Sequence, residues 1–421
     1  MSVISFAELG LIEPLLRALK KEDHEIPTPI QAQAIPHLLR GCDLLGSAQT
    51  GTGKTAAFAL PILQHLANGK RQDKKSNSPR ALILTPTREL ANQVSKNFKS
   101  YGRYLNVTHA VVFGGVSVFE QARSMPRNLD VLVATPGRLL DLISQRRIFL
   151  DNLELFTLDE ADRMLDMGFI HDIRKIISKL PQSRQTLFFS ATMPQAAAQL
   201  ANTLLKKPVQ VKVDPTVCTV EKVEQKVLFV ERHNKEALLL SLLENSEINR
   251  VLVFTRTKYK ANTIALKLNK HNVNAEAIHG NKSQKARMQA LKRFSVGQSR
   301  VLVATDVASR GIDVKDISHV INFEIPNEPE SYIHRIGRTA RAGATGVAIS
   351  FCDSEERDFL SSIERLIKTT IRVDKEHPYH SQHAASLKPT NNTYSFGKKR
   401  FSSRSRRSGF RFQTSRSSRS Y

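Results

Sequence analysis

Eight residues, Ala48-Gln49-Thr50-Gly51-Thr52-Gly53-Lys54-Thr55, set two glycines, a lysine and a threonine at the spacing that wraps backbone around phosphate. The short apolar run Asp43-Leu44-Leu45 precedes them and the helix-compatible AAFALPILQHL follows. In that context N–H groups around Gly51 and Gly53 cradle phosphates at a helix N-terminus, Lys54 neutralises the β and γ groups, and Thr55 ligates Mg²⁺. Ala48 stands where the general pattern has its first Gly. Without its flanks the segment reads as an ordinary glycine-rich turn.

A second group, Asp159-Glu160-Ala161-Asp162, closes the apolar run that ends at Leu158. Taken alone it is a helix cap, the usual fate of acids at that place. Beside a phosphate loop on the same sheet edge, Asp159 is placed to hold Mg²⁺ and Glu160 to orient and deprotonate a water. A third group, His334-Arg335-Ile336-Gly337-Arg338-Thr339-Ala340-Arg341, is a basic stretch. It reads either as a solvated helix face or as a source of Arg338 and Arg341, reaching across a cleft to the γ-phosphate.

These groups need a scaffold that gathers distant loops. The runs at 81–85, 131–135, 155–159, 186–190, 251–255, 301–305 and 347–351 are short, apolar and end in small or polar residues, as buried parallel strands do. Amphipathic stretches alternate with them at Arg88–Tyr101, Phe169–Leu180, Lys258–His271 and Ser283–Phe294. The alternation predicts an α/β fold, a mostly parallel sheet with helices on both faces and ligands beyond the carboxyl ends of its strands. VLVAT occurs at Val131 and again at Val301, which two similar domains would produce, as would chance among common strand residues. We expect a first domain over 1–213, a linker over 214–221, a second domain over 222–374 and a disordered basic tail over 375–421.

Composition narrows the partner. Lys and Arg number 63 against 39 Asp and Glu, a formal charge of +24, which favours a polyanion and above all nucleic acid. Nine of those cations lie in 398–421 without an acid, interleaved with Phe401, Phe410, Phe412 and Tyr421. That pattern suits phosphate neutralisation and base stacking, or else a solubilising arm. Cys42, Cys218 and Cys352 are scattered without ligand spacing, so neither zinc nor a disulfide framework is expected. MSVISFAELG is no signal peptide and no apolar run nears the roughly 20 residues of a membrane span, so we expect a cytoplasmic protein with no membrane partner.

The ordered set of motifs resembles the DEAD-box RNA helicases over roughly residues 6–370, with the bacterial RhlE-type branch as the nearest likeness. Pro27-Thr28-Pro29-Ile30-Gln31 resembles the adenine-reading Q motif, which implies that Gln31 contacts the base and that Phe6 stacks on it. Ser190-Ala191-Thr192 resembles the element that links the ATP site, through Asp162, to strand separation. In Ala304-Thr305-Asp306-Val307-Ala308-Ser309-Arg310-Gly311-Ile312-Asp313, the resemblance implies that Asp313 meets the ribose. For RNA it points to Pro86-Thr87-Arg88, Gly114-Gly115, Thr135-Pro136-Gly137-Arg138, Thr257, Gly280, Gln284 with Arg287, and Thr305. Such donors hold phosphates and 2′-hydroxyls with little sequence preference. The chain departs from the family pattern at Asp23-His24, where Gly-aromatic is usual, and at Ala340, where Gly is usual; Ala48 is normal for the family.

The resemblance implies two tandem RecA-like domains, each a mostly parallel sheet with helices on both faces, and an ATP- and Mg²⁺-dependent RNA helicase, RNA-stimulated and closing those domains on short duplexes, with ribosomal precursors or RNA-decay machinery as candidate partners. An ATP-gated RNA clamp or annealing scaffold, and a DNA helicase built on the same motor, are the other readings.

Overall fold

The computed structural model describes residues 5–48, 52–69, 77–126, 128–213, 223–306, 314, 316–339 and 346–387. Among them two seven-stranded sheets stand out. The first holds β1 (Leu44–Ser47), β2 (Ala81–Leu84), β3 (His109–Val112), β4 (Val131–Ala134), β5 (Leu155–Leu158), β6 (Gln185–Ser190) and β7 (Val209–Lys212), in the order β3-β4-β2-β5-β6-β1-β7. The second holds β8 (Val223–Phe229), β9 (Val251–Thr255), β10 (Ala275–Ile278), β11 (Val301–Thr305), β12 (His319–Asn322), β13 (Gly346–Cys352) and β14 (Arg372–Val373), in the order β10-β11-β9-β12-β13-β8-β14. Every pairing in both is parallel.

Counted from its own first strand, the second sheet repeats the order of the first. The two VLVAT segments are β4 and β11, which occupy the same place in their sheets. The internal echo therefore falls on topologically equivalent strands.

Burial on both faces explains why the strands read as continuous apolar runs. Along β6, Leu187 and Phe189 enter the core under the helices Pro29–Leu39, Lys54–Asn68 and Arg88–Tyr101, while Phe188 points into the opposite core. In β11, Val301 and Val303 face one layer, Leu302 and Ala304 the other. The helices begin where capping side chains stand. Thr87 accepts the Leu90 N–H at 3.3 Å, Thr257 that of Lys260 at 3.2 Å, and Ser283 that of Ala286 at 3.3 Å.

The ordered chain extends past the predicted end of the second domain. Val230 forms an antiparallel bridge with His380, Ser381 N donates to Phe229 O at 2.9 Å, and the helix Gln382–Ser386 buries Ala384 in the core under β8 and β13. This corrects the expectation of a tail from 375: one buried alanine and backbone pairing along β8 anchor a segment whose composition carries no periodic signal. The basic run 398–421 lies outside the described residues.

Candidate nucleotide and RNA sites

β1 leads into the phosphate loop, of which Gln49, Thr50 and Gly51 lie outside the described residues. Gly53 takes φ 93 and caps the helix Lys54–Asn68. Its carbonyl accepts Gln31 Nε2 at 3.1 Å, and Gln31 Oε1 in turn accepts the Thr28 N–H at 2.8 Å. Gln31 thus stitches the PTPIQ segment to the loop. Lys54 is buried and its Nζ donates to Ala48 O at 2.8 Å, while Ala48 N donates to Ser190 O at 3.1 Å. Thr55 is half-buried in the first helical turn. Phe6 does not reach an open mouth: it is 5% exposed and packs in the core beside Leu9 and Ile30. At the departure from Gly-aromatic, Asp23 adopts φ 55, a left-handed conformation that Asp tolerates, and His24 Nε2 lies 3.4 Å from Tyr101 Oη.

β5 delivers the acidic tetrad beside this loop. Asp159 is buried with Oδ1 unpaired, and burial pushes its carboxyl well above the usual carboxylate range, against the pull of Lys54. Glu160 sits at φ 55 and ψ 52, a left-handed position unusual for its type that turns the chain sharply into the helix Ala161–Asp166. Burial works to raise its carboxyl, and the charges of Arg163, Lys54 and Arg338 outweigh it and hold it low. The Arg163 contact is an ion pair of 2.7 Å. Asp162 is bonded to the Ser190-Ala191-Thr192 element: its Oδ2 accepts both Thr192 N and Thr192 Oγ1 at 2.8 Å. Ser190 Oγ accepts Asp162 N at 3.2 Å and donates to Thr192 O at 2.6 Å.

Across from these acids stands the second domain. A cavity of about 360 Å³ is lined by Glu160, Asp162 and Thr192 on one side and by Ser331, His334 and Arg338 on the other. Arg338 is buried and donates to His334 O at 3.2 Å. Arg341, Ala340 and Asp313 lie outside the described residues. Sequence reasoning missed Arg335, which is 1% exposed and does not serve the cleft directly. Its fork grips Asp306 at 2.6 and 2.7 Å, and its remaining nitrogen reaches Asn322 Oδ1 at 3.1 Å and Glu324 O at 2.8 Å. Its neighbours in sequence gave no signal of this, because Asp306 and Asn322 come from other strand ends.

The RNA candidates fall in equivalent pairs. Thr87 and Arg88 follow β2 as Thr257 follows β9; Gly114-Gly115 follow β3 as Gly280 follows β10; Thr135 follows β4 as Thr305 ends β11. The first sheet is therefore divided, with these residues after β3, β4 and β2 in one half and the phosphate loop, tetrad and SAT element at the ends of β1, β5 and β6 in the other; in the second sheet the RNA candidates likewise fall on the half formed by β10, β11 and β9. Arg88 lies over Gly115, where φ is 81 and a Cβ would come within 2.6 Å of the guanidinium carbon. Arg138 is buried, giving Nη1 to Gln121 Oε1 at 2.6 Å and Nη2 to Val116 O at 2.9 Å. A further residue that sequence reasoning missed, Glu89, joins the domains: it accepts Gln284 Nε2 at 3.2 Å and pairs with Arg287 at 3.0 Å. Gln284 Oε1 also accepts from Arg88 at 3.4 Å. Burial, followed by the charge of Arg287, lowers the Arg88 guanidinium from its usual value.

Known proteins share this arrangement. A DEAD/DEAH box helicase family model matches residues 28–200 and a helicase conserved C-terminal domain model matches 234–343. The DEAD-box ATP-dependent RNA helicase CshA of Bacillus cereus is 42% identical over 86% of this chain and 68% of its own length. That of Bacillus subtilis is 42% identical over 89% and 74%. The chain belongs to the DEAD-box family of ATP-dependent RNA helicases. Among solved structures, S. cerevisiae Dbp5 bound to RNA and ADP BeF3 matches with a TM-score of 0.78 at 32% identity, covering 88% of this chain and 94% of Dbp5. Mss116p bound to ssRNA and AMP-PNP gives 0.79 at 28% identity, over 91% and 82%. A DEAD box protein from Methanococcus jannaschii, more similar in sequence at 40%, gives only 0.51 over 88% of this chain and 99% of its own. Over its whole length this helicase thus superposes on the first two structures more closely than on the third.

As a DEAD-box helicase, the chain hydrolyses ATP with Mg²⁺ and unwinds RNA. The residues fit those groups. The unpaired Asp159 oxygen is a hard anionic donor of the kind Mg²⁺ takes, and Lys54 beside it brings a buried cation for phosphate. Gly53 leaves no room for a side chain at the loop. Among the described residues no helix is long and apolar enough to cross a membrane.

Proposed function

We propose that hydrolysis and unwinding are divided among the residues as follows. Lys54, with the loop Ala48–Thr55, holds the phosphates, and Thr55 and Asp159 hold Mg²⁺; the bound nucleotide supplies the phosphoryl group that passes to water. Glu160, held ionised by the charges of Arg163, Lys54 and Arg338, orients that water and takes its proton as the O–P bond forms. Arg338, with Arg341 beyond it, brings positive charge from the second domain. Gln31 positions the loop through Gly53 and turns toward the base, with Phe6 buttressing it from the core, and Asp313 meets the ribose. Asp162, Ser190 and Thr192 couple this chemistry to the RNA side.

The observation that carries this reading is the meeting of Glu160, Asp162 and Thr192 from one domain with Arg338 from the other around a single cavity, with the charge of Lys54 acting on Glu160 beside it. The site is complete only when the domains are closed. The same closure joins Arg88 and Glu89 to Gln284 and Arg287, so RNA and nucleotide favour one state and tighten each other's binding. Arg88, Gly115, Thr135, Arg138, Thr257, Gly280, Arg287 and Thr305 hold the RNA backbone with little base preference. Arg88, Arg138 and Arg287 stand close enough for their charges to act on one another, and such crowded cations favour a polyanion.

Residues 1–213 and 222–374, the latter with the anchored segment that runs on to 387, serve as the two motor domains, and the protein works in the cytoplasm on ribosomal precursors or with RNA-decay machinery. The RhlE-type branch is the finer placement suggested by the motifs; the relatives above carry the CshA name, and a tree of the two helicase domains decides between them. Glu160→Gln tests the chemistry. We expect ATP and RNA binding to persist while turnover falls by at least about 10²-fold, the scale of a lost general base. Undiminished hydrolysis would overturn the assignment.

A further inference from the structure

The roles above leave unused the outer side of the short helix Val118–Ser124, which follows Gly114-Gly115 beside the edge strand β3. Its inner side is fixed. Val118, Ala122 and Met125 pack on the core, and Gln121 together with the Val116 carbonyl holds Arg138. Its outer side carries Phe119, 64% exposed, with the exposed Arg123 four residues on, so an aromatic ring and a guanidinium share one helical face.

A single exposed apolar residue is ordinary; place is what distinguishes this one. Arg138 and Arg88 border the segment, the first bonded to it and the second lying over Gly115. In the second sheet the helix that follows the equivalent strand, Gln284–Ser295 after β10, carries Gln284 and Arg287 of the candidate RNA face. The neighbours Ser117, Glu120 and Ser124 are exposed and polar, so the apolar surface is little wider than one ring and the adjoining Val116. A flat ring with the exposed Arg123 on the same helical face suits a nucleobase, whose neighbouring phosphate that guanidinium neutralises, better than it suits a protein partner, which needs a broader apolar patch.

We propose that Phe119, flanked by Arg123, is a base-stacking residue of this helicase: the ring covers one face of an unpaired base while Arg123 neutralises a neighbouring phosphate. The proposal rests on the RNA face described above and gives domain 1 a contact to a base rather than to backbone alone. One stack of this kind is worth roughly 5- to 150-fold in affinity.

The test uses the full chain and single-stranded RNA carrying 2-aminopurine at successive positions, with AMP-PNP present. In the wild type one position is quenched. Phe119→Ala and Phe119→Leu abolish that quench and weaken RNA binding by about tenfold, whereas Phe119→Trp keeps both. Rescue by Leu would mean a merely apolar contact and overturns stacking. Unchanged affinity and quench in Phe119→Ala overturn it too, as does a shift in oligomeric state without loss of RNA affinity, which would mark a protein interface. Arg138→Ala separates the two readings: if it loses RNA and Phe119→Ala does not, stacking fails and the RNA face stands; if neither loses RNA, both fail.

Discussion

Replacing Gly53 by Ala places a methyl group against Gln31 Nε2 and within 2.8 Å of Thr28 Oγ1, at a residue whose φ is 93. The backbone conformation alone costs an L-residue about 1 to 2 kcal/mol. Displacing the Gln31 amide also breaks its bonds to Gly53 O and from Thr28 N, each worth about 0.5 to 1.5 kcal/mol. Together these give about 2 to 5 kcal/mol, shared between stability of the first domain and affinity for ATP. Gln31→Ala removes the group that the methyl strikes, so in that background Gly53→Ala retains mainly the backbone penalty, about 1 to 2 kcal/mol. The double-mutant cycle should then show a coupling of about 1 to 3 kcal/mol, read from denaturant midpoints and from the dissociation constant of a fluorescent ATP analogue in all four proteins. If Gly53→Ala costs the same with and without Gln31, the stitch between the two motifs does not exist in solution.

Other expectations follow from the same geometry. Asp162→Asn turns two charge-assisted bonds to Thr192 into neutral ones, a loss of about 1 kcal/mol each; duplex unwinding should fall more than RNA-stimulated ATP turnover, and equal losses would refute the coupling role. At the far end of the first sheet, burial raises the Glu154 carboxyl but hydrogen bonds from His65 and Arg80 prevail and bring it to about 2. Its folded value lies below the unfolded one of 4.5, so its stabilisation is present above about pH 4.5 and is lost as pH falls toward 2. Since Glu154 is 40% exposed, the contribution is only about 1 kcal/mol. Glu154→Gln should accordingly flatten the decline of thermal stability between those pH values, and a parallel decline would count against the pairing. Truncation before Lys398 removes nine cations, and each one that engages phosphate should flatten the salt dependence of RNA binding by roughly 0.7; an unchanged slope would leave the tail without a role in RNA capture.

The fold was legible where burial on both faces wrote long apolar runs, as in β2, β4, β5, β6, β9, β11 and β13. It was not legible at β14, two exposed residues, or at the edge strand β3, whose half-buried His109 and Ala110 give no clean period. The candidate catalytic groups could be nominated from the sequence because each motif is contiguous. What stayed hidden was pairing between motifs: Gln31 with Gly53, Glu89 with Arg287, and the burial of Arg335 on Asp306. A basic stretch does not say which of its arginines faces a cleft and which is locked inside, since that depends on acids brought up by other strands. The same holds for Phe6, whose place in the core rests on contacts with the helix of the Q motif rather than on its own neighbours.

The repeated strand order has a further effect on how a strand of RNA is gripped. On the RNA face proposed above, β2, β3 and β4 offer the same kinds of loop as β9, β10 and β11, so an oligonucleotide would meet two footholds of similar make, joined where Arg88 and Glu89 meet Gln284 and Arg287. A short oligomer reaches one foothold and leaves the other idle; a slightly longer one occupies both and holds the halves together. Affinity plotted against RNA length should rise in a step, and the length at which the step comes measures the spacing between the two halves.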